Sequence, residues 1–154
     1  MPSLPPVDDP AAPLVLLAGA ALDAAVPLLH EAGYRARTAP SAAALQRLAR
    51  GEAMPQLILL GETVGDQPGL GLLSRLQDDA ATRAIPVLFV AGDGREADEE
   101  LALALGACDC LNLPLRPLVL LARVQAQLRL AGMTPPVGRG PARPTAAPGC
   151  HPGA

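Results

Sequence analysis

The stretch QLILLGETVGDQPG, residues 56–69, decides how this chain folds. Ile58, Leu59 and Leu60 form a short uninterrupted apolar run closed by Gly61, which is typical of a strand buried on both faces of a parallel sheet. The polar loop that follows lies where such sheets bind ligands, beyond the carboxyl end of a strand. Gly61 has no side chain to act as nucleophile, acid, base or metal ligand. The sequence therefore predicts a site without a reactive group at its centre.

Composition limits the function classes that remain. The 154 residues suit one domain, because a body of roughly 120 residues can bury a sufficient core. The net charge is −3 and there are only one Phe, one Tyr and no Trp, so neither phosphate contacts nor base stacking is supported and nucleic-acid binding is not expected. Lysine is absent from the sequence. This excludes a P-loop lysine and a Schiff-base lysine.

The predicted compartment is the cytoplasm. Every apolar run is shorter than the roughly 18 to 20 residues that span a bilayer, and the N-terminus lacks the basic region of a signal peptide. Cys108 and Cys110 lie two apart on a predicted strand, at poor geometry for bridging each other, so reduced thiols are expected.

Proline and glycine mark the predicted domain boundaries. Residues 1–13 hold five Pro and are interpreted as a loose N-terminal segment. Residues 133–154 hold six Pro and four Gly without apolar periodicity, so a disordered tail is predicted. The folded domain is then residues 14–132, and since no output domain follows Leu130 in this sequence, any output is expected to be made by contact.

Between these boundaries, strands and helices alternate. Strands are predicted over residues 14–17, 34–39, 56–60, 86–90 and 108–111. Helices are predicted over about 23–32, 41–50, 96–105 and 116–130, with another marked by Leu70, Leu73 and Leu76. Right-handed crossovers close such an alternation into an α/β fold, a doubly wound parallel sheet with helices on both faces. The flavodoxin-like strand order 2-1-3-4-5 is expected, with the second strand at an edge.

Some local features of the helices are also predicted. Asp23 and Ser41 are expected to cap the first two helices, since short polar side chains accept hydrogen bonds from free backbone N–H groups. Leu118, Leu121, Val124 and Leu128 fall at helical spacing and are expected to mark the apolar side of the last helix.

The sequence resembles a known family, the receiver domain of bacterial response regulators (CheY-like). The matching pieces occur in order between about Leu14 and Leu130. They are HEAGYRARTA followed by Ser41, PQLILLG with Gly69 eight residues after Gly61, DDAATRAIPVLFVAG, GACDCLNLP and LLARVQAQLRL. The resemblance implies a domain of a two-component, or phosphorelay, signal transduction system.

The resemblance also implies phosphoryl transfer to an aspartate, which needs acidic Mg²⁺ ligands, a carboxylate acceptor, a hydroxyl and a lysine. Here the acceptor position is Gly61, the hydroxyl position Ala91 and the lysine position Leu113, and the acidic positions fall near Ala18 and Gly19. Cys110 takes the place of the aromatic residue usual on the last strand. The resemblance therefore indicates a pseudo-receiver with no metal, no cofactor and no catalytic residue.

Other chemical interpretations of single residues are weaker. Glu62 could replace the acceptor, but strand alternation should point it away from the pocket at Gly61, so a solvated loop glutamate is expected. Asp23 and Asp66 could chelate an ion, but are more often cap and turn residues. A zinc site built from Cys108, Cys110, Cys150 and His151 lacks ligand-pair spacing on both sides.

The last two helices carry opposite charges and are predicted to bracket the last strand. The acidic helix holds Glu96, Glu99 and Glu100, and the basic helix holds Arg116, Arg123 and Arg129. Acids at a helix start compensate the helix dipole, but this does not require the neighbouring helix to be exclusively basic.

The sequence thus predicts a stand-alone, non-enzymatic receiver-like domain that is not phosphorylated. It is expected to act through this charged surface on a signalling partner, namely a histidine kinase, a cyclase or another regulator, or on a second copy of itself. Two alternatives stay open. The vacated pocket could bind a small molecule, or a displaced carboxylate could accept the phosphoryl group.

Overall fold

A computed structural model describes residues 11–52, 55–92, 94, 96–130 and 132 of the chain. The predictions for the N-terminal residues 1–10 and for the tail over residues 133–154 lie outside the described residues.

The described chain alternates strands and helices, as predicted. The strands are β1 (Leu14–Ala18), β2 (Arg35–Ala39), β3 (Leu57–Gly61), β4 (Thr63–Val64), β5 (Gln67–Pro68), β6 (Val87–Ala91) and β7 (Asp109–Asn112). The α-helices are α1 (Ala25–Glu31), α2 (Ala42–Arg47), α3 (Gly69–Asp78), α4 (Glu96–Ala104) and α5 (Pro117–Leu130). A short 3-10 turn, Ala20–Leu22, precedes α1, and a π turn, Leu48–Glu52, follows α2.

Five of the strands form one parallel sheet in the order β2-β1-β3-β6-β7. With β6 and β7 as the fourth and fifth main strands, this is the predicted order 2-1-3-4-5, and the flavodoxin-like assignment is confirmed. β3 lies at the centre, and Leu57 to Gly61 are all buried because both faces of the sheet are covered. β2 is the edge strand that its alternating sequence predicted.

A small hairpin in the loop after β3 was not predicted. Thr63 pairs with Pro68 and Val64 with Gln67, in antiparallel register. Gly65 has φ 63° in the two-residue turn, where a positive φ suits glycine. Val64 is buried, so the hairpin covers the carboxyl edge of the sheet on this side.

Two aliphatic cores lie on opposite faces of the sheet. Side chains of β1, β3 and β6 pack with α2, α3 and α4 on one face, where Phe89 is fully buried. The alternate side chains of the same strands pack with α1 and α5 on the other face. The acidic α4 and the basic α5 therefore flank β7 from opposite sides of the sheet, and the surface between them includes the edge of β7.

The predicted helix features have mixed outcomes. Ser41 caps α2, since its Oγ accepts a hydrogen bond from the Ala44 N–H at 3.1 Å. The predicted cap at Asp23 is wrong, because the 3-10 turn ends at Asp23 and Ala24 precedes α1 without a side-chain cap. Leu118 does not mark the apolar side of α5, since it is 82% exposed, and the buried positions include Leu120, Val124 and Leu128.

Within the described part of the chain, no helix has the length and apolar character needed to cross a bilayer.

Candidate functional site

The residues predicted for the degenerate pocket lie where three strands end. Ala18 ends β1, Gly61 ends β3 and Ala91 ends β6, and all three are buried. Parallel register puts them at one edge of the sheet, with Ala18 beside Leu60 and Gly61 beside Val90. The structure therefore brings these three positions together as the sequence predicted.

The loop after β1 packs directly on the end of β3. Gly19 has φ 130°, and a Cβ there would lie 3.2 Å from the carbonyl oxygen of Thr63 and 3.3 Å from the Gly61 Cα. A Cβ on Gly61 would in turn lie 3.5 Å from the carbonyl oxygen of Ala18. These are contact distances, so the two backbones meet with little space between them.

An apolar side chain completes this packing. Leu22, in the 3-10 turn after β1, is fully buried, and its Cδ1 lies 3.9 Å from where a Gly61 Cβ would be. The surroundings of Gly61 are therefore apolar side chain and backbone. Sequence reasoning missed Leu22, although its place as a large apolar residue just after a buried strand was a usable signal.

The start of α3 packs against the end of β3, next to Gly61. The Gly69 N–H donates to the carbonyl oxygen of Glu62 at 2.7 Å, and a Cβ on Gly69 would overlap the carbonyl oxygen of Gly61. Only glycine permits this approach of helix to strand end.

Glu62 is not a simply solvated loop glutamate, so that expectation is wrong. Its half-buried side chain folds across to the end of β6, with Oε1 2.9 Å from the position of a Cβ on Gly92. The atoms nearest to a Cβ on Gly61 belong to Ala18, Gly19 and Leu22, so Glu62 points away from the space beside Gly61, as alternation predicted.

The remaining predicted positions lie at the ends of β6 and β7. The Leu113 N–H donates to the Ala91 carbonyl oxygen at 2.9 Å, and the Leu113–Pro114 peptide is cis. Leu113 packs against the core on the α1 and α5 face. An alkyl side chain thus stands at the position that the resemblance assigns to an ammonium group.

Cys110 lies on β7 in surroundings that suppress its reactivity. Burial, together with the nearby carboxylates of Glu99 and Asp109, raises the pKa of the Cys110 thiol to about 12. The thiolate is the reactive form of cysteine, so this free thiol is protonated at neutral pH and unreactive. Cys108 is disulfide-bonded, and the expectation of reduced thiols is wrong for that residue.

The acidic residues considered for ion binding are not gathered together. Asp66 lies in the turn of the β4–β5 hairpin, and both Asp66 and Asp23 are exposed. Among the described residues, no group of three or more His, Cys, Asp or Glu side chains could hold a metal ion.

A second feature lies along the β7 edge, between β7 and α5. A groove of about 130 Å³ is lined by Cys110, Leu111, Asn112, Leu115, Arg116, Val119, Leu120 and Arg123. We call it the β7–α5 groove. Its lining combines apolar side chains, such as Leu115 and Val119, with the cationic Arg116 and Arg123. Its volume is below the roughly 300 Å³ of ordinary small-molecule sites.

Arg123 forms an ion pair with Asp109 on β7. Its Nη1 donates to Asp109 Oδ2 at 2.6 Å, and Asp109 Oδ1 accepts from the Cys110 N–H at 2.8 Å. Exposed fractions of 45% and 26% for the two side chains make this a surface pair of modest strength. The sequence analysis missed Asp109 as the partner of Arg123.

The three arginines predicted for the partner surface do not share one face. Arg116, which immediately precedes α5, and Arg123 both line the groove. Arg129 lies about 120° from Arg123 around the helix axis. Its charge instead acts on Tyr34, where it opposes the rise in pKa that burial causes. Arg129 therefore belongs to another surface.

The predicted acidic residues lie on α4. Glu99 is half-buried and close enough to Cys110 to influence its pKa, and Glu100 is exposed. The side chain of Glu96 lies outside the described residues. Glu99 thus lies on the α4 side of β7, and the groove lies on the α5 side.

Comparisons with known proteins agree with this fold. No model of a known protein family matches the chain. The phosphate regulon transcriptional regulatory protein PhoB of Klebsiella pneumoniae is 37% identical over 78 residues, which are 51% of this chain and 34% of PhoB. The transcriptional regulatory protein GltR of Pseudomonas aeruginosa is 32% identical over 106 residues, 69% of this chain and 43% of GltR. The chain thus spans less than half the length of these relatives.

Solved structures match over most of their own length. A response regulator receiver domain protein (CheY-like) from Methanospirillum hungatei superposes with a TM-score of 0.69 at 21% identity, covering 79% of this chain and 97% of that one. A response regulator receiver protein from Pseudomonas putida gives a TM-score of 0.66 at 23% identity, covering 75% and 97%. The chain therefore has the flavodoxin-like fold of the response regulator receiver (CheY-like) proteins that it resembles.

Proposed function

We propose that this domain works in two-component signalling as a pseudo-receiver, which is not phosphorylated and acts by protein contact. The observation that carries the proposal is the composition of the edge where β1, β3 and β6 end. Gly61, Ala91 and Leu113 supply no carboxylate, hydroxyl or ammonium group there. Phosphoryl transfer to a receiver depends on such groups, since positioning and charge stabilisation provide nearly all of its catalysis.

The packing of this edge supports the same conclusion. The Gly19 backbone and the Leu22 side chain lie next to Gly61, so backbone and an apolar side chain occupy the space beside it. This packing does not favour the alternative in which a small molecule binds beside Gly61, because such ligands need a preformed cavity.

The contact surface that we propose comprises the β7–α5 groove and the neighbouring part of α4. It offers the cationic Arg116 and Arg123 on one side of β7 and the acidic Glu99 and Glu100 on the other. A surface with both signs can pair with a partner of complementary pattern, or with its own copy around a two-fold axis. The partner is a histidine kinase, a cyclase or another regulator, or a second copy of this chain.

Arg116 provides the sharpest test of this surface. It is exposed and takes part in no ion pair among the described residues, so changing it breaks no ion pair there. Arg116→Glu adds repulsion toward an acidic partner group and should weaken association at least tenfold. The matched control is Arg129→Glu, which changes the same charge on another side of α5 and should bind like the parent.

Association should be measured by sedimentation for the homodimer, and by titration with a histidine kinase or cyclase encoded beside this chain. Circular dichroism checks that both variants fold. If Arg116→Glu and Arg129→Glu associate equally, the surface is wrong. If the parent binds neither itself nor such a partner, the contact function is wrong.

A further inference from the structure

The two edges of the sheet differ in how their backbone groups are satisfied. β2 and β7 are the edge strands. On β7, the Asp109 carboxylate accepts the Cys110 N–H at 2.8 Å and also pairs with Arg123, so a side chain of the strand takes a backbone donor. Among the described residues, no side chain bonds in this way to the backbone of Ala36 or Thr38 on β2.

The strand register shows which backbone groups of β2 face outward. The Arg35 N–H donates to the Pro13 carbonyl oxygen at 2.9 Å, and β2 keeps one parallel register with β1 along its length. Because backbone groups alternate in direction along a strand, those of Arg37 also face β1. The N–H and C=O groups of Ala36 and Thr38 therefore face away from the sheet. These are the groups to which an added strand would bond.

The side chains beside these groups make the β2 edge cationic. Arg35 and Arg37 lie on the same face of the strand as Ala39, which packs in the core beneath α2. Arg47 is the only charged residue of α2, and neither β2 nor α2 contains an acidic residue. Arg37 is exposed and forms no ion pair within the described part of the chain. The edge thus combines outward backbone groups with positive charge on one face.

We propose that the β2 edge binds an extended segment of a partner protein in which acidic residues occupy alternate positions. Hydrogen bonds to the backbone of Ala36 and Thr38 provide affinity, and the alternate acids meet Arg35 and Arg37. This site lies at the opposite edge of the sheet from the β7–α5 groove and does not depend on it.

A second copy of the chain is a poorer occupant of this edge. Antiparallel pairing of two β2 strands that joins Ala36 of one copy to Thr38 of the other sets the two Arg37 side chains directly opposite each other. Like charges at directly opposite positions destabilise a strand pair. Charge complementarity therefore favours an acidic segment from another protein.

Binding of blocked synthetic peptides tests the charge requirement. The probe has about six residues, in which glutamate alternates with valine, and the control peptide has lysine in place of glutamate. Calorimetric titration of the full chain should show binding of the glutamate peptide and at least about tenfold weaker binding of the lysine peptide. Arg37→Glu should reverse this preference. The matched control Arg116→Glu changes the same charge near the other edge and should bind both peptides like the parent.

A second pair of variants tests the backbone contact. Thr38→Pro removes an N–H that faces away from the sheet, at a position where an edge strand tolerates proline, and should weaken binding of the glutamate peptide at least about fivefold. Thr38→Ala keeps the N–H and should bind like the parent. The glutamate peptide methylated on alternate backbone nitrogens removes donors from the peptide instead, so it gives the same test with the parent protein even where Thr38→Pro does not fold.

Amide exchange followed by nuclear magnetic resonance shows whether the edge is open. In the free protein the Thr38 amide should exchange at least about tenfold faster than the Arg37 amide, which faces β1, and the glutamate peptide should slow it. Slow exchange of the Thr38 amide in the free protein would show that the chain itself or a second copy covers the edge, and would refute the proposal.

Three other results would also overturn this proposal. The first is no binding of the glutamate peptide at about 1 mM, the weak end of specific association. The second is parent-like binding by Arg37→Glu. The third is parent-like binding by folded Thr38→Pro or of the methylated peptide, which would show that charge alone attracts the peptide and that no strand is added.

Discussion

The strand ends around Gly61 and the groove along β7 differ in character. Around Gly61, backbone meets backbone at contact distance, and the nearest side chain is the buried Leu22. Along β7, a groove opens between strand and helix, and the charged Arg116 and Arg123 are among the residues that line it. At the strand ends, where receivers hold their reactive groups, this chain has close packing at Gly61 and the Glu62 carboxylate beside Gly92, while exposed charged side chains lie along β7. The first region is closely packed, and the second is the surface that we propose for contacts.

The largest effect is expected from Gly69→Ala, which tests how tightly the first region is closed. The added methyl group would overlap the Gly61 carbonyl oxygen, and backbone cannot move aside as a flexible side chain can. We expect a loss of about 3 kcal/mol or more in the free energy of unfolding. Urea denaturation followed by circular dichroism measures it.

Gly71→Ala is the matched control on the same helix, since its Cβ would meet only the Pro68 Cγ at 4.0 Å. The Gly71→Ala variant should be more stable than the parent by up to about 1 kcal/mol, because alanine has a higher helix propensity than glycine. Equal stabilities for the two variants would mean that α3 does not approach β3 as closely as described.

Restoring a carboxylate at the strand end should also destabilise the protein. In Gly61→Asp the Cβ fits, but the carboxylate faces Leu22 and backbone carbonyl groups without a cation. We expect a loss of about 2 to 4 kcal/mol, and Gly61→Ala should remain within about 1 kcal/mol of the parent. Thermal melts of both variants, with and without Mg²⁺, make the measurement. A Gly61→Asp variant as stable as Gly61→Ala would show that the region is open and polar after all.

The Arg123–Asp109 pair should contribute little to stability. Its distance of 2.6 Å is short, but the arginine side chain is 45% exposed, so water screens the pair. Arg123→Ala should cost less than about 1 kcal/mol, as should Arg50→Ala, which breaks the comparable Arg50–Asp79 pair. Denaturation curves of the two variants should nearly coincide. A much larger loss for Arg123→Ala would make the β7–α5 groove a structural element rather than a contact surface.

The smallest effect concerns the Cys110 thiol. Burial and nearby carboxylates raise its pKa to about 12, so alkylation near pH 8 should be at least about a hundredfold slower than for a model thiol. Because the folded-state pKa is raised, this group favours folding below its unfolded pKa of about 9, and that contribution declines between about pH 9 and 12. Peptide mass spectrometry after timed iodoacetamide treatment measures the rate. Alkylation as fast as in a model peptide would contradict the described surroundings of Cys110.

Periodicity in the sequence was sufficient for the main elements but not for side-chain directions. Runs such as Leu57 to Leu60 identify buried strands because burial on both faces demands uninterrupted apolar residues. The partial burial of Glu62 could not be found in this way, since its carboxylate lies beside Gly92, which is thirty positions away in sequence. The 3-10 turn that displaces the cap from Asp23 likewise depends on how the β1 loop packs.

The arrangement of the three arginines around α5 could not be predicted for a similar reason. A count of positive residues does not say how they are distributed around the helix, and Arg129 faces away from Arg116 and Arg123. The β4–β5 hairpin could have been predicted, since Gly65 and Asp66 form a typical two-residue turn. The Asp109–Arg123 pair could not be predicted from the sequence, because β7 and α5 meet only in the folded chain.

The most direct test of the central claim is phosphorylation itself. The protein should be incubated with acetyl phosphate and Mg²⁺ and examined by intact-mass spectrometry, with a phosphorylatable receiver as a positive control. Our account predicts no change in mass, since Gly61, Ala91 and Leu113 provide none of the groups that the transfer needs. Gain of one phosphoryl group, abolished in Glu62→Gln or Asp66→Asn, would contradict it and show that a displaced carboxylate is the acceptor.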